Sequence, residues 1–372
     1  MSNIEMSGPE VLQEDIEYVI DALKNGWFGK EAYTYVEKFE KEFASYHERK
    51  FALMTPNCTS AIHLLLKGLD IKDDDEVIAP DCTWIGSVAG ISHQRAQTIF
   101  ADIDPKTWCL SKETISEKIT NKTKAVIVVN LYGNMPEYDE ISELCKEKNI
   151  FLIEDAAESL GSQYNEIKSG KFGIGSVFSF HRTKTLTTGE GGMLLLDDND
   201  LFERCKFLRD HGRKPGSFYV EEVAYKYMPF NVQAALGYGQ FKRIDELVQK
   251  KRAILHRFKD NLKEFSDIAH LNPEPDHIIN GAWAPALVFD KSLNISKDKA
   301  MSFLSEKSLP VRPFFYPLSS TPAFNLESSL KKLNPHSYDI SSRAINLPSS
   351  LNLTFEQIDI YSEALTDLIN QA

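Results

Sequence analysis

The sequence predicts an α/β protein with a mostly parallel sheet, and three features of the chain support this class. Short β-branched and apolar runs, typical of buried strands, recur at 76–80, 97–101, 125–129 and 150–153. The segment 136–149, between the last two runs, carries its apolar residues on one helical face. A strand, a helix and a strand in this spacing form a βαβ unit, which makes the two strands parallel.

Two domains are expected from the length and from a change of pattern. The 372 residues suffice for roughly two domains of about 150 residues each. A charged helical stretch at 244–265 ends the region of βαβ signals. The segments after it look like strands and a closing helix, at 281–289, 311–317 and 358–372. We expect a large α/β/α domain with an N-terminal arm over 1–245 and a smaller α+β domain over 246–372.

The composition excludes several classes of partner. Lys and Arg total 42 against 54 Asp and Glu, a net charge of −12, which disfavours nucleic acid and anionic membranes as partners. The five cysteines are odd in number and contain no C-x-x-C, so neither a disulfide framework nor a metal site is expected. Without a signal-like N-terminus or a long apolar run, we expect a cytoplasmic protein.

A lysine and an acid are predicted to meet at the carboxyl edge of the sheet. Asp155 comes just after the run 150–153, and Lys184 follows a second apolar run at 177–180. In parallel sheets this edge binds ligands. Pyridoxal phosphate needs both groups, an amine for its aldehyde and a carboxylate that keeps its ring nitrogen protonated. From these two residues alone, an ordinary ion pair or two solvated loop residues explains the pattern equally well.

Further residues suit the phosphate and the ring of such a cofactor. Thr59 and Ser60 precede a helix-like run at 61–68, where free backbone N–H groups and the helix dipole favour an anion. Ser179 is a second candidate phosphate ligand, and Trp84, which follows the strand 76–80, is a candidate to cover the ring. Plain helix capping, a backbone-bonded serine and core packing are the alternative explanations.

Eight segments spread over the chain carry a resemblance to a known family. They are 57–61, 83–84, 154–158, 178–184, 189–193, 231–237, 312–317 and 345–349. In this order they resemble the DegT/StrS-type sugar aminotransferases, which are fold-type I pyridoxal-phosphate enzymes acting on nucleotide-linked keto sugars. The segments RPFFYP (312–317) and INLPS (345–349) look most like the perosamine-synthase branch, which aminates C4 of a GDP-linked 4-keto-6-deoxy sugar.

The resemblance implies a role for each matching residue around the cofactor, pyridoxal 5′-phosphate. Lys184 would bind the aldehyde and shuttle protons, Asp155 would pair with the pyridine nitrogen, and Trp84 would stack on the ring. Thr59, Ser60 and Ser179 would hold the phosphate. Glu158 falls where the family has a polar residue near the ring. These implications predict an enzyme whose catalytic groups are Lys184 and Asp155.

Other implied roles concern a second subunit and the substrate. An asparagine matching Asn231 reaches the phosphate of the neighbouring subunit in this family, which predicts a homodimer with composite active sites. Arg312 is a weaker candidate for a diphosphate contact, with a structural ion pair as the alternative. His181 and Tyr316 are weaker substrate candidates still, and packing explains the histidine as well.

The implied reaction moves an amino group from L-glutamate to a nucleotide-linked keto sugar, through a ping-pong cycle between pyridoxal and pyridoxamine phosphate. C4 of a 4-keto-6-deoxyhexose is the expected acceptor, for deoxyamino sugars of the O-antigen type. Alternatives are C3 amination, a related keto-sugar dehydratase, in which histidine replaces the lysine, and a non-catalytic regulator. Two departures from the family pattern are Cys58, in place of glycine, and Met228, in place of arginine.

Overall fold

The architecture is that of a computed structural model, which describes residues 4–372. Its strands are β1 Phe51–Thr55, β2 Glu76–Pro80, β3 Gln97–Ala101, β4 Thr123–Val129, β5 Phe151–Asp155, β6 Gln163–Tyr164, β7 Ile167–Lys168, β8 Gly175–Ser179, β9 Gly192–Leu196, β10 Ala269–Leu271, β11 Ile278–Ile279, β12 Ala286–Phe289, β13 Arg312–Pro313 and β14 Ala344–Asn346. Its α-helices are α1 Gln13–Asn25, α2 Thr34–Tyr46, α3 Cys58–Gly68, α4 Ala89–His93, α5 Lys112–Ser116, α6 Tyr138–Lys148, α7 Asn199–Arg209, α8 Asn231–Phe241, α9 Ile244–Asn261, α10 Lys297–Glu306, α11 Glu327–Leu330, α12 Pro335–Ser342 and α13 Phe355–Asn370.

The central sheet has seven strands in the order β1-β9-β8-β5-β4-β2-β3. The strands from β8 to β3 pair in parallel, whereas β9 runs antiparallel to both β8 and β1. Alternate residues of β9 enter different cores, with Leu194 and Leu196 on one face and Met193 and Leu195 on the other. The sheet is therefore buried between helical layers on both faces, and the predicted α/β/α architecture is confirmed.

The predicted strands agree with the structure where the signal was a continuous apolar run. The strands at 76–80 and 97–101 are confirmed, and those predicted at 125–129 and 150–153 differ from β4 and β5 only at their ends. The strand predicted over 281–289 is too long, because the observed strand comprises only Ala286–Phe289. Ala282 adopts a left-handed backbone with φ of 57°, which turns the chain just before that strand. In the 311–317 segment only Arg312–Pro313 belongs to the small sheet, and Pro317 then makes an isolated bridge to Cys82.

A four-stranded antiparallel sheet, β10-β12-β14-β13, forms the C-terminal part of the molecule. Helices α9, α10 and α13 cover it and close a separate apolar core. The predicted domain boundary at residues 245 and 246 falls inside α9 and stays a prediction. The N-terminal arm joins this part, because Ser349 donates its backbone N–H to the Met6 carbonyl.

Two buried carboxylates fasten the C-terminal segment to the edge of the large sheet. Asp81, just after β2, accepts hydrogen bonds from the Ser319 backbone N–H, from its hydroxyl and from the Asn334 amide at 2.7 to 2.9 Å. Asp102, just after β3, accepts from the backbone N–H groups of His336 and Ser337, at the start of α12. The carboxyl ends of β2 and β3 therefore hold the segment that closes over this edge.

Replacing Asp81 with alanine tests this connection. The variant removes the acceptor of three buried hydrogen bonds, so we expect the free energy of unfolding to fall by about 3 kcal/mol. Urea unfolding at pH 7 measures it. Asp267→Ala, at an exposed position, is the control and should change stability by less than about 0.5 kcal/mol. Equal stabilities of the two variants would contradict the structural role of Asp81.

Within residues 4–372, none of the helices combines the length and the apolar character that crossing a membrane requires. All five cysteines are free thiols, as the sequence predicts.

Candidate active site

A cavity of about 520 Å³ opens at the carboxyl edge of the large sheet, where the C-terminal part covers it. All but two of the predicted site residues line it: Thr59, Trp84, Asp155, Glu158, Ser179, His181, Lys184, Arg312 and Tyr316. A second cavity, of about 600 Å³, lies between Lys106, Lys259 and Arg343 and contains none of them. The structure thus brings together residues that are more than 250 positions apart in the chain.

Lys184 lies in the turn that follows β8, and the turn is fixed by its backbone. Its N–H donates to the His181 carbonyl at 2.8 Å, so the side chain projects into the cavity from a hydrogen-bonded loop. The amine donates to Glu158 Oε1 at 3.2 Å and lies 3.7 Å from the ring centroid of Trp283. A carboxylate and an aromatic face therefore hold this amine over the cavity.

Asp155 ends β5 and is 2% exposed. One carboxylate oxygen accepts the Ala157 N–H at 3.0 Å. Burial raises the pKa of this carboxyl group above its usual value, while a hydrogen bond from Ser87 and the charge of Lys184 oppose the rise. A buried carboxylate with so few donors gains strongly from a cationic N–H partner.

Glu158 links Lys184 to the backbone of the neighbouring loop. Its Oε2 accepts the Tyr132 N–H at 2.9 Å, while Oε1 accepts from Lys184. Burial raises the pKa of Glu158, and the Lys184 charge lowers it. Glu158 is therefore a direct partner of the predicted catalytic amine, a contact that the sequence did not predict.

The start of α3 forms one end of the cavity. Asn57 caps this helix by accepting the Ser60 N–H at 2.8 Å, and Thr59 lines the cavity together with Ser179. Gly192 lies so close that a Cβ atom there would be 2.5 Å from the Cys58 nitrogen. Ser60 does not line the cavity, and its role as a phosphate ligand stays a prediction.

Asn231 lies outside the cavity of its own chain. It is buried at the start of α8, where its side-chain carbonyl accepts the Tyr35 N–H at 2.9 Å. Its amide nitrogen donates to the Glu31 carbonyl at 3.4 Å. These bonds join α8 to the first turn of α2 and to the segment before it. The role of Asn231 toward the phosphate of a neighbouring subunit stays a prediction.

Aromatic rings form one wall of the cavity, with the fully buried Tyr132 behind the lining residues Trp283 and Phe315, and the sequence did not predict most of this wall. Tyr132 stacks between Trp283, at a centroid distance of 5.8 Å, and Phe315, at 5.2 Å. Trp84 continues the wall beside Phe315, at 6.1 Å. Trp84 is 61% exposed, so core packing does not explain it. The RPFFYP motif pointed to Phe315, but no local pattern pointed to Trp283.

The mouth of the cavity is cationic. Arg182 and Arg312 both line it, and the pKa of Arg312 is lowered by burial and by the nearby Arg182 charge. Burial also lowers the pKa of His181, whose Nε2 lies 3.7 Å from Glu190 Oε1. Tyr316 packs on Lys297, whose amine is 3.6 Å from the ring centroid. Two neighbouring guanidinium groups at the mouth favour an anionic ligand.

The cysteine that departs from the family pattern fits its position. Cys58 is the first residue of α3 and is not among the described residues with a positive φ, so no glycine is required there. Burial raises the pKa of its thiol well above the usual value. A raised pKa favours the neutral thiol over the reactive thiolate.

The residues present fit pyridoxal phosphate. A helix start with Thr59 suits the phosphate, Asp155 suits a protonated ring nitrogen, and Lys184 lies where an aldehyde can reach it. The absence of a side chain at Gly192 allows β9 to pack closely against the Asn57–Cys58 peptide at this helix start. No cluster of potential metal ligands is found among residues 4–372.

Comparison with known proteins gives the same class. The model of the DegT/DnrJ/EryC1/StrS aminotransferase family matches residues 9–366. The GDP-perosamine synthase of Escherichia coli O157:H7 is 34% identical over 99% of both chains. That of Vibrio cholerae is 33% identical over 97% of this chain and 98% of its own. The fold matches a putative sugar aminotransferase, Spr1654, of Streptococcus pneumoniae in its PLP form, with a TM-score of 0.91, 24% identity and 99% of both chains covered.

The chain belongs to the DegT/DnrJ/EryC1/StrS aminotransferase family. It is a sugar aminotransferase that depends on pyridoxal phosphate and has the fold-type I architecture. The prediction of family, fold and cofactor is confirmed.

Gly192→Ala tests the end of the cavity that we assign to the phosphate. The added Cβ would push the Asn57–Cys58 peptide out of place, which costs about 1–3 kcal/mol. We expect the affinity for pyridoxal phosphate to fall by about 10- to 100-fold, measured by absorbance titration of the cofactor-free protein. Gly8→Ala, which meets only the Ser350 hydroxyl at 3.1 Å, is the control. Wild-type cofactor affinity in Gly192→Ala would refute the assignment.

A second, fully buried lysine lies behind the aromatic wall. Lys251, on α9, donates to the carbonyl of Trp283 at 3.2 Å and to the carbonyl of Ser349. Burial, with a smaller contribution from the Lys184 charge, lowers the pKa of its amine from 10.5 to about 7. Lys251 and Lys184 thus contact the same tryptophan, one at its carbonyl and one at its ring.

The lowered pKa of Lys251 predicts a pH-dependent stability. Between about pH 7 and 10.5 the unfolded chain holds a proton that the folded chain has released, so stability rises with pH in this window. Below pH 7 both states are protonated and the cost of the buried charge is largest. Relative to Lys251→Met, the wild type should therefore gain stability between pH 6.5 and 9.5. Urea unfolding of both proteins measures this, and a constant or opposite difference would contradict it.

Proposed function

We propose that the protein transfers an amino group from L-glutamate to C4 of a GDP-linked 4-keto-6-deoxyhexose. The observation that carries this proposal is the meeting of Lys184, Asp155 and the start of α3 on one cavity with two arginines at its mouth. The similarity to two GDP-perosamine synthases supports GDP as the carrier and C4 as the acceptor.

Each residue of the cavity has a defined task in this reaction. Bound pyridoxal phosphate supplies an electrophilic carbon for the amino group and a protonated ring that withdraws electrons. Asp155 keeps the ring nitrogen protonated. Lys184 would serve as the general base and acid, moving a proton between the α-carbon of the amino donor and the C4′ carbon of the bound cofactor, and in the opposite direction for the sugar. Glu158 and the Trp283 ring hold the Lys184 amine in the cavity, where it would act.

The mouth of the cavity suits the nucleotide. Arg182 and Arg312 would bind the diphosphate, since neighbouring guanidinium groups match phosphate oxygens well. Tyr316, half exposed beside Arg312, would pack against the base or the ribose. Binding energy from the nucleotide then orients the sugar carbonyl toward the cofactor. Met228 stands where the family pattern has an arginine, and it does not line the cavity. This departure from the pattern therefore changes no residue of the cavity lining.

A homodimer with composite sites is part of the proposal. Helix α1 exposes Ile16, Ile20 and Leu23 along one face, which is a spacing that a partner surface can cover. The loop after α7 exposes Phe218 and Val223 at 95% and 94%. These apolar surfaces support the pairing of two copies.

The lysine separates this function from its rivals. A keto-sugar dehydratase of this family has histidine in place of the lysine, whereas Lys184 is present and lines the cavity. A non-catalytic regulator would have no need for the amine, the buried acid and the open helix start together. Amination at C3 of a 3-keto sugar is the remaining alternative and is decided by the substrate panel below.

Lys184→Ala tests the proposal. Borohydride should link the cofactor covalently to the Lys184 peptide of the wild type and to no peptide of the variant, as read by mass spectrometry. Amination of a GDP-linked 4-keto-6-deoxyhexose with glutamate should fall by about 10²–10⁴-fold in the variant. A panel of GDP-, dTDP- and UDP-linked 4-keto and 3-keto sugars serves as comparison. Unchanged turnover in Lys184→Ala would overturn the catalytic role of Lys184. Preference for a 3-keto sugar would overturn C4 as the position of amination.

A further inference from the structure

Asn346, the last residue of β14, has an unusual bonding pattern on the wall of the active-site cavity. Asn346 is 7% exposed and lines the cavity. Its amide nitrogen donates to the Tyr132 hydroxyl at 3.1 Å and to the Pro313 carbonyl at 3.2 Å. Its side-chain carbonyl is buried and receives no hydrogen bond from any residue in the described range 4–372.

The orientation of this amide is fixed by its neighbours. The Pro313 carbonyl can only accept, so the nitrogen of Asn346 and not its oxygen must face it. The Tyr132 hydroxyl already accepts the Phe315 N–H at 3.2 Å and accepts the Asn346 nitrogen as well. The carbonyl oxygen therefore lies on the side away from both partners. Flipping the amide would place two acceptors against each other at Pro313.

A buried carbonyl without a donor costs about 1–3 kcal/mol. The other polar atoms around it have partners, among them Asn272, whose amide donates to the carbonyls of Tyr132 and Ala284. The side-chain carbonyl of Asn346 is thus one oriented hydrogen-bond acceptor beside the aromatic rings of the cavity wall. Such an acceptor is satisfied by a ligand that brings a hydrogen-bond donor.

We propose that the side-chain carbonyl of Asn346 accepts a hydrogen bond from a ring hydroxyl of the keto sugar and so selects a hydroxylated sugar. This inference rests on the proposed function and assigns to the sugar a contact that Lys184, Asp155 and the arginines do not provide. The amino donor is a poor partner for the same atom, because the two carboxylates of glutamate are acceptors at neutral pH and its one donor group, the amine, reacts with the cofactor. Asn346 therefore acts in the sugar half of the reaction and not in the glutamate half.

The size of the effect follows from the pairing. A sugar that lacks the hydroxyl cannot form the hydrogen bond to the Asn346 carbonyl. The carbonyl then stays without a donor, as in the free protein. A hydrogen bond of about 1.4 kcal/mol corresponds to a tenfold difference in affinity. Discrimination at the transition state exceeds this where the bond tightens during the reaction.

Binding to the cofactor-free protein gives a test that does not depend on turnover. Calorimetry measures the affinities of GDP, of GDP-mannose and of GDP-mannose analogues that each lack one ring hydroxyl. For the wild type we expect one analogue to bind about tenfold more weakly than GDP-mannose. For Asn346→Ala we expect GDP-mannose to bind as weakly as that analogue, with the affinity for GDP unchanged.

The two half-reactions give a second readout. With the cofactor bound, Asn346→Ala should slow the single-turnover reaction of the pyridoxamine form with the keto sugar at least tenfold. The single-turnover reaction of the pyridoxal form with glutamate should keep its wild-type rate. A purely structural role of Asn346 would slow both half-reactions.

Asn334→Ala is the matched control. Asn334 is also buried, and its side-chain carbonyl also receives no hydrogen bond from any residue in the range 4–372; it donates to Asp81 and does not line the cavity. Its loss should lower stability without changing the ratio of the two half-reactions. Asn346→Ser serves as a second variant, and the analogue series with the wild type needs no variant to fold.

The outcomes separate the inference from the proposed function. Equal affinities of the wild type for all analogues, or an unchanged preference in Asn346→Ala, mean that only water meets the carbonyl and overturn the inference. If the wild type aminates the keto sugar in that case, the proposed function stands. If the wild type neither binds GDP-mannose nor reacts with glutamate, the proposed function itself fails.

Discussion

The site depends on Tyr132 more than on any other single residue. Its backbone N–H holds Glu158, which in turn holds the Lys184 amine. Its ring stacks against Trp283 and its hydroxyl accepts from Asn346, so the large sheet and the C-terminal part meet on one side chain. Tyr132 adopts a left-handed backbone with φ of 55°, which costs of order 1 kcal/mol and persists because these contacts fix it.

The carboxylates at the strand ends fall into two groups, which differ in the hydrogen bonds that they accept from the protein. Asp81 and Asp102 each accept several hydrogen bonds from the C-terminal segment, so they hold structure. Asp155, at the end of β5, accepts from Ala157 and Ser87 and faces a cavity with an amine. The same residue type in the same topological position thus tethers a segment in two places and prepares a cofactor site in the third.

The sequence predicted what local patterns and strand ends determine. Continuous apolar runs predicted the inner strands, and the order of elements predicted that Asp155 and Lys184 reach one edge. It failed for β9, because the glycines at 191 and 192 obscured a strand whose first residue packs against Asn57. It also missed Trp283 and Asn346, since their roles arise from contacts with Tyr132 across 151 and 214 positions, formed only when the C-terminal part folds over the sheet.

The charged side chains of the cavity explain why a ligand there must carry both a positive and a negative charge. Asp155 and Glu158 are two buried acids whose pKa values are raised by burial, and the charge of Lys184 opposes the rise at both of them. A cofactor with a protonated ring nitrogen supplies the missing positive charge beside Asp155. Its phosphate would then lie at the other end, where the start of α3 offers backbone N–H groups and no acid. This charge distribution would by itself favour one orientation of the cofactor in the proposed site.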